Sequence, residues 1–338
     1  MPNSSPRPNR TTHLMRYSIL LFLSWVLSSA GHTQEALGTP DRDDIEYPDD
    51  EPPSAGEIAL GKMLFFDTRL STNKKQSCAT CHNPDLGFGD GLRKGIGTQG
   101  DDLGRNTPHI YNLAWNVVFF WDGRAASLEE QALGPIQSKA EMGMSLPKML
   151  KRLSAVPYYR KQFKAVYGAD KIISEDVGRA IAAFERNLIS DNSPFDQYIA
   201  GDKSAMSPAA IRGLDLYQGK ARCTLCHDGA NFTDNSFHNI GTGDKDLGRS
   251  EIVGDTSLNG AFKTPGLRNV TLTAPYMHDG SIASLQEVIE FYDRGGKLAK
   301  NKDKLIKPLG LSPNEIMDLL AYLGALSDPI IVERPTLP

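Results

Sequence analysis

The chain has 338 residues, of which 40% are hydrophobic and 23% charged, with a formal net charge of −4. This length and balance suit two compact domains with their own cores and exclude a disordered chain or a membrane bundle. From Ser54 onward, 33 basic and 33 acidic residues cancel, a neutrality that argues against nucleic acid as a partner.

At the N-terminus, Arg7, Arg10 and Arg16 precede an apolar run from Ile19 to Leu27 and the small residues Ser28-Ser29-Ala30. This is the pattern of an export signal over residues 1–30, cleaved after Ala30, and it directs the chain to the periplasm. Met15-Arg16 is a more ordinary signal start, which leaves translation of residues 1–14 open. An uncleaved anchor is the competing reading, but the apolar run is short for a bilayer span, so no stable membrane insertion is expected. Losing residues 1–30 removes three Arg and no acid and moves the charge from −4 to −7. Residues 31–53 hold eight acids and one Arg, and their piece "TPDRDDIEYPDDEPPS" reads as a disordered, solvated tether.

The remainder divides near Asp191, where "SDNSPFD" breaks the helical pattern, into domains 54–191 and 192–338. Its predicted elements are mostly helical. Gly61-Lys62-Met63-Leu64-Phe65-Phe66 and Gly213-Leu214-Asp215-Leu216-Tyr217 form a weak internal repeat. Val177, Ile181, Phe184 and Leu188 share one helical face behind Glu175 and Asp176. Leu285, Val288, Ile289 and Tyr292 share another. Ser312-Pro313-Asn314-Glu315 is a capping box opening a helix through Leu326. Strand-like alternation is scarce, and the long Gly-rich connections 83–106 and 228–266 are expected to wrap a bound group.

All four cysteines lie in two copies of one pattern, Cys78-Ala79-Thr80-Cys81-His82 and Cys223-Thr224-Leu225-Cys226-His227. On one helical turn residues i and i+3 face the same way, so both sulfurs can form thioethers with the vinyl groups of one porphyrin. The adjacent His then ligates the iron. Two local disulfides or one structural zinc site are the alternatives, and neither needs a His after each second Cys. The fold class expected is therefore mostly α, with two cytochrome c-like helical domains, each carrying one covalently bound c-type haem among long Gly-rich loops.

The two pentads stand 145 residues apart, with "GRNTPHIYNLAWNVVFFWDGRAASLEEQALGPIQSKAEMG" between them and "LRNVTLTAPYMHDG" after the second. On these motifs the chain, from about Gly56 to Leu326, resembles the bacterial di-haem cytochrome c peroxidase superfamily. The resemblance implies that hydrogen peroxide reacts at the haem ligated by His82, with Glu141 as its acid-base residue and Gln131 as its distal glutamine. The loop position at which many members cap the resting iron with His is Thr98 here, which implies an open distal side. His109 is expected to pack rather than ligate. Trp121 matches the tryptophan between the haems, while Asn106, Thr273 and Pro275 match a calcium position between the domains. Read from the residues alone, each of these polar or aromatic side chains is an ordinary helix-surface or core residue.

Fourteen residues beyond His278, where the family's peroxidases place a methionine as sixth ligand of the second haem, the chain has Tyr292. The resemblance thus narrows to the MauG-like branch, in which both irons share the oxidising equivalents as a bis-Fe(IV) state and a partner protein is oxidised, at an aromatic residue. Met277 and His278 are the rival ligands, Met277 the fallback and His278 a pocket residue. At the position of that branch's surface tryptophan the chain has Ala221, so its electron route departs from the pattern. One alternative function is a cytochrome c peroxidase that reduces peroxide to water with electrons from a small cytochrome c or cupredoxin. The other is a non-catalytic di-haem electron-transfer cytochrome.

Overall fold

The chain folds as a succession of short helices joined by long loops, described over residues 35–168, 170–243 and 245–338 of a computed structural model. The helices of the first part are α1 (Ala55–Phe66), α2 (Cys78–Cys81), α3 (Leu128–Gln137), α4 (Leu146–Ser154), α5 (Pro157–Tyr167) and α6 (Ser174–Arg186). There follow α7 (Pro194–Ile199), α8 (Pro208–Gln218), α9 (Arg249–Val253), α10 (Leu285–Asp293) and α11 (Pro313–Gly324). The only named strands among the described residues are β1 (Phe237–His238) and β2 (Phe262–Lys263), an antiparallel pair that sets Phe237 opposite Lys263. The fold is mostly helical, as expected. The export signal and residues 31–34 lie outside the described residues, among which no helix is long and apolar enough to cross a membrane.

One packing device occurs twice. At Gly61 of α1 an added Cβ would sit 1.7 Å from the Ala180 carbonyl oxygen of α6, and at Gly213 of α8 it would sit 2.0 Å from that of Asp318 in α11. Only glycine lets the two backbones approach this closely. The repeat suggested by the paired Gly-led segments is thus a repeated helix crossing. Around the first crossing Leu60, Leu64, Phe65, Val177, Ile181 and Phe184 are buried. Around the second, Tyr217, Leu319 and Tyr322 pack with Phe195 and Phe232, the Tyr217 and Tyr322 rings meeting edge to face at 5.0 Å. Burying each such side chain contributes about 1.5–3 kcal/mol.

The helical face drawn through Val177, Ile181, Phe184 and Leu188 is buried, although Leu188 lies past the end of α6. The capping box of α11 is formed, with Ser312 N–H donating to Glu315 Oε2 at 2.7 Å. The helix ends at Gly324 rather than Leu326, because its last turn tightens: Leu326 N–H donates to the Leu323 carbonyl, three residues back, at 3.3 Å.

Residues 35–53 depart from the expected solvated tether. Glu35 N–H donates to Asp228 at 2.8 Å, Thr39 Oγ1 to Asp196 at 2.9 Å, and Arg268 to the Gly38 carbonyl at 3.0 Å. Arg42 pairs with Asp191 at 2.7 Å, and Ile45 is buried. Acid-rich composition missed this, because the segment is held by individual hydrogen bonds to the body and needs no core of its own. The C-terminus runs back the other way: Ile330, Val332 and Leu337 pack on the first core.

If the crossings fix the fold, Gly61→Ala forces α1 and α6 apart and costs about 1–3 kcal/mol or more. Thermal unfolding should show a midpoint several degrees lower; an unchanged midpoint would mean that the crossing opens without strain.

Candidate active site

The two cysteine-histidine turns start differently, the first as α2 and the second as a 3-10 turn, Cys223–Leu225, behind left-handed Arg222, but anchor their histidines alike. Ser77 caps α2, its hydroxyl and that of Thr80 exchanging hydrogen bonds with the backbone. His82 follows at the C-cap, its Nδ1–H donating to the Phe88 carbonyl at 3.2 Å. In the second copy His227 Nδ1–H donates to the Phe232 carbonyl at 2.9 Å. Phe88 and Phe232 are both fully buried and both left-handed, with φ +58° and +56°. This conformation is costly for a bulky residue, and burial of the ring holds it. A donating Nδ1 leaves Nε2 as the lone-pair nitrogen, the tautomer an iron ligand requires. Burial, the first cause, pushes both imidazoles below their ordinary pKa and so keeps them neutral.

None of the four cysteines is in a disulfide. Burial raises Cys81 to about 11 and Cys223 to about 12, and Cys78 higher still. Among the described residues the one cluster with metal-ligand geometry is Cys226, Asp234 and His238, which does not join the two cysteine pairs. In it, His238 is bracketed by Asp234 at Nε2 (2.8 Å) and Asp303 at Nδ1 (2.6 Å). Burial opposes its charge, yet hydrogen bonds, led by that to Asp234, raise it to about 11.

The first turn opens on a cavity of about 660 Å³ whose lining includes Cys78, Cys81, His82, Trp121, Gln131 and Glu141. Stretches far apart in the chain meet there, from both sides of Asp191. Pro135, inside α3, has no N–H to offer the Gln131 carbonyl one turn back, and its own carbonyl accepts from Met142 N–H at 3.1 Å. That fold-back, with Gly143 N–H on the Ser138 carbonyl at 2.8 Å, carries Glu141 to the wall on which Gln131 sits. Glu141 lies near enough to Cys81 for its charge to raise the thiol further. Thr98 is tied to the same turn, its N–H donating to the Glu141 carbonyl at 2.9 Å.

Trp121 Nε1–H donates to the Asn106 carbonyl at 2.9 Å, and the Trp121 carbonyl accepts from Lys263 N–H at 2.8 Å. Asn106 is buried and its side-chain amide donates to the Leu92 carbonyl at 2.9 Å. Thr273 Oγ1 donates to the Val270 carbonyl at 3.1 Å, ahead of Pro275. His109 packs: Nε2–H donates to the Gly266 carbonyl at 3.0 Å, Nδ1 accepts from Tyr111 N–H at 3.3 Å, and burial lowers it to about 4. Both ring nitrogens are therefore taken within the protein.

On the second side, Tyr292 projects from α10 close to Cys226 and Cys223. Burial is the first cause that raises its phenol above the ordinary range. His278, 3% exposed, stacks on Phe262 with ring centroids 3.5 Å apart and faces Trp121 edge-on at 6.4 Å. Met277 is left-handed, with φ +73°. Ala221 is 5% exposed and belongs to the second core.

Two buried charges in the cavity wall escaped the sequence reading. Glu185 of α6 is 4% exposed and its Oε2 has no hydrogen-bond partner; burial, with Glu129 adding to it against Arg186, raises it to about 8. Lys263 is the second. Neither lies in a motif, and a Glu at the end of an amphipathic helix reads as solvated. The signal available was its phase, one position beyond Phe184 and so on the buried side.

Two sulfurs and a neutral, correctly tautomeric imidazole on one short turn are what covalent haem attachment requires, and here the arrangement occurs twice in one helical body. That places the chain in the di-haem c-type class. A family model described as di-haem cytochrome c peroxidase matches residues 55–204. The methylamine utilization protein MauG of Methylorubrum extorquens is 44% identical over 87% of this chain and 85% of its own. The cytochrome c551 peroxidase of Nitrosomonas europaea is 35% identical over 85% of each. The crystal structure of a MauG-like protein associated with microbial copper homeostasis superposes with a TM-score of 0.79 at 33% identity, over 90% of this chain and 96% of that one. The chain belongs to the di-haem cytochrome c peroxidase family and is a haem-dependent peroxidase with two c-type haems.

Because Glu185 holds its proton more tightly when folded, its contribution to stability is whole below the unfolded carboxyl pKa, near 4.5, and is lost as pH rises toward about 8. Unfolding free energy of the wild type should therefore fall across that window by up to about 1.4 kcal/mol per pH unit relative to Glu185→Gln. Parallel pH profiles of the two proteins would show that Glu185 is solvated or paired in solution.

Proposed function

We propose that the chain is a periplasmic peroxidase of the MauG-like branch, which uses hydrogen peroxide to oxidise a partner protein at an aromatic side chain. The observation that carries this reading is the phenol of Tyr292, a half-buried residue of α10, beside the second cysteine pair. When bound, the two haems would supply the redox chemistry with peroxide and the capacity to store its two oxidising equivalents.

The chain's own groups have separable parts. His82 and His227 present Nε2 as proximal ligands, and Cys78, Cys81, Cys223 and Cys226 hold the macrocycles covalently. Glu141, on the cavity wall, takes a proton from the near oxygen of peroxide and returns it to the departing one, while Gln131 donates a hydrogen bond to the developing charge. Trp121 lies between the two centres, its indole N–H engaged by the Asn106 carbonyl. Burial adds to the phenol's ordinary preference for its proton, so the phenolate becomes stable only opposite a metal cation. A hard anionic oxygen there favours the oxidised metal, whereas a thioether would favour the reduced one. Asn106, Thr273 and Pro275 supply oxygens of the kind a calcium ion prefers, and the two haem domains, 54–191 and 192–338, meet near Asp191.

A second reading, reduction of peroxide to water with electrons from a small cytochrome c or cupredoxin, is favoured by Ala221. Buried and aliphatic, it offers no surface aromatic for oxidising a docked protein. Rapid steady-state oxidation of reduced cytochrome c without prior reduction of the enzyme would decide for it.

Tyr292→Phe should leave both haems attached but abolish the long-lived oxidised state that follows one equivalent of peroxide. A near-infrared charge-resonance band that survives the substitution would remove Tyr292 from the reading. Glu141→Gln should slow the first reaction with peroxide by about 10²- to 10⁴-fold, measured by stopped-flow absorbance; an unaltered rate would leave Glu141 as a wall residue.

A further inference from the structure

Four Lys or Arg side chains line the cavity of the first turn, and three of them are matched by carboxylates. Arg105 is bidentate to Asp246, at 2.7 and 2.9 Å, and also bonds Asp122 at 2.6 Å. Arg124 pairs with Asp122 at 2.9 Å, and Arg268 with Asp196 at 2.8 and 2.9 Å. Lys263, the fourth, has no carboxylate in ion-pair range among the described residues. It is 7% exposed, and its ammonium donates one hydrogen bond, 3.3 Å long, to the carbonyl of its neighbour Thr264. An ammonium carries three donors, and burying it unmatched is costly.

Its setting indicates what completes it. Lys263 belongs to β2, after the second cysteine turn in sequence, yet it reaches the cavity of the first. Its charge and that of His82 both act on His109, so it lies toward the imidazole wall. Cys78 and Cys81 fix the vinyl edge of a macrocycle, and the carboxyl group that acts on Cys78 is Glu185. The two carboxylates of a haem lie on the edge away from its vinyl groups, where an anion of the right size meets a cation supplied by another stretch of chain.

We propose that Lys263 Nζ binds a carboxylate of the haem held by Cys78 and Cys81, so that the second half of the chain grips the cofactor of the first. This rests on the assignment of that haem to the Cys78-Cys81-His82 turn. Lys263 is a positioning residue. Its cation keeps the haem carboxylate ionised and favours the reduced iron, and its backbone N–H on the Trp121 carbonyl ties the same residue to the indole between the centres. Without this anion, burial pushes the ammonium down to about 8.

The test uses the intact holoprotein, with Lys263→Met removing the charge and Lys263→Arg retaining it. Haems per chain are counted by pyridine haemochrome, and each midpoint potential is followed by spectroelectrochemical titration between about pH 6 and 8. The Met variant should show a lower potential at the His82-ligated haem and a new pH dependence there, as its carboxylate begins to take up a proton. The Arg variant should follow the wild type, and the other haem should not move. Unchanged potentials in the Met variant, or a shift confined to the other haem, overturn the proposal. A wild type with fewer than two haems overturns the underlying assignment instead. Should the Met variant fail to mature, a crystal structure of the wild-type holoprotein decides: Nζ within hydrogen-bonding distance of a carboxylate of that haem supports the proposal, and Nζ bonded only to water or backbone refutes it.

Discussion

The hydrogen bond from each histidine Nδ1 to a backbone carbonyl is the constraint on which the rest of the structure turns. It selects one of two tautomers, and only that one leaves Nε2 ready for iron. The acceptor in both cases is the carbonyl of a left-handed phenylalanine, Phe88 or Phe232, whose ring is buried in a helical core. The unfavourable backbone conformation is therefore held by packing, and the packing is held by a pair of helices whose glycine crossing brings their backbones together. Chemistry at the imidazole and hydrophobic burial at the helix pair are linked through one residue in each half.

That link explains why the body is duplicated as it is. The α1–α6 and α8–α11 pairs use the same close approach, at Gly61 and at Gly213, and each supports one cysteine-histidine turn. The duplication is not an equivalence. The first turn opens on a large cavity with a carboxylate and an amide on its wall, whereas the second has the phenol of Tyr292 beside it. One scaffold thus carries two unlike surroundings, and the difference lies in what the loops add.

The loops also cross between the halves. Lys263, Arg268 and Gly266 come from beyond the second turn and still line the first cavity or bond its His109. Trp121 is gripped from both sides, by Asn106 through its indole and by Lys263 through its carbonyl. In the other direction the C-terminal residues Ile330, Val332 and Leu337 return to the first core, and the segment from Glu35 to Ile45 bonds Asp191, Asp196 and Asp228. Such reciprocal contacts suit a protein whose two redox centres must hold a fixed separation.

What the sequence determined by itself were the local features whose physics acts over a few residues. Two Cys-X-X-Cys-His turns declare the cofactor, because i and i+3 share a helical face. Ser312 to Glu315 declares a helix start, and the 3.6-residue period of Val177, Ile181 and Phe184 declares a buried face. Glu141, Gln131, Trp121 and Tyr292 were singled out only through family resemblance, since each is an ordinary residue in its own stretch. The tertiary structure decided which distant stretches share a wall: that Pro135 folds Glu141 back toward Gln131, that an acid-rich segment binds the body through single hydrogen bonds, and that Glu185 and Lys263 end up buried. Burial of a charge depends on the desolvation contributed by every neighbour, and those neighbours are assembled only when the chain is folded.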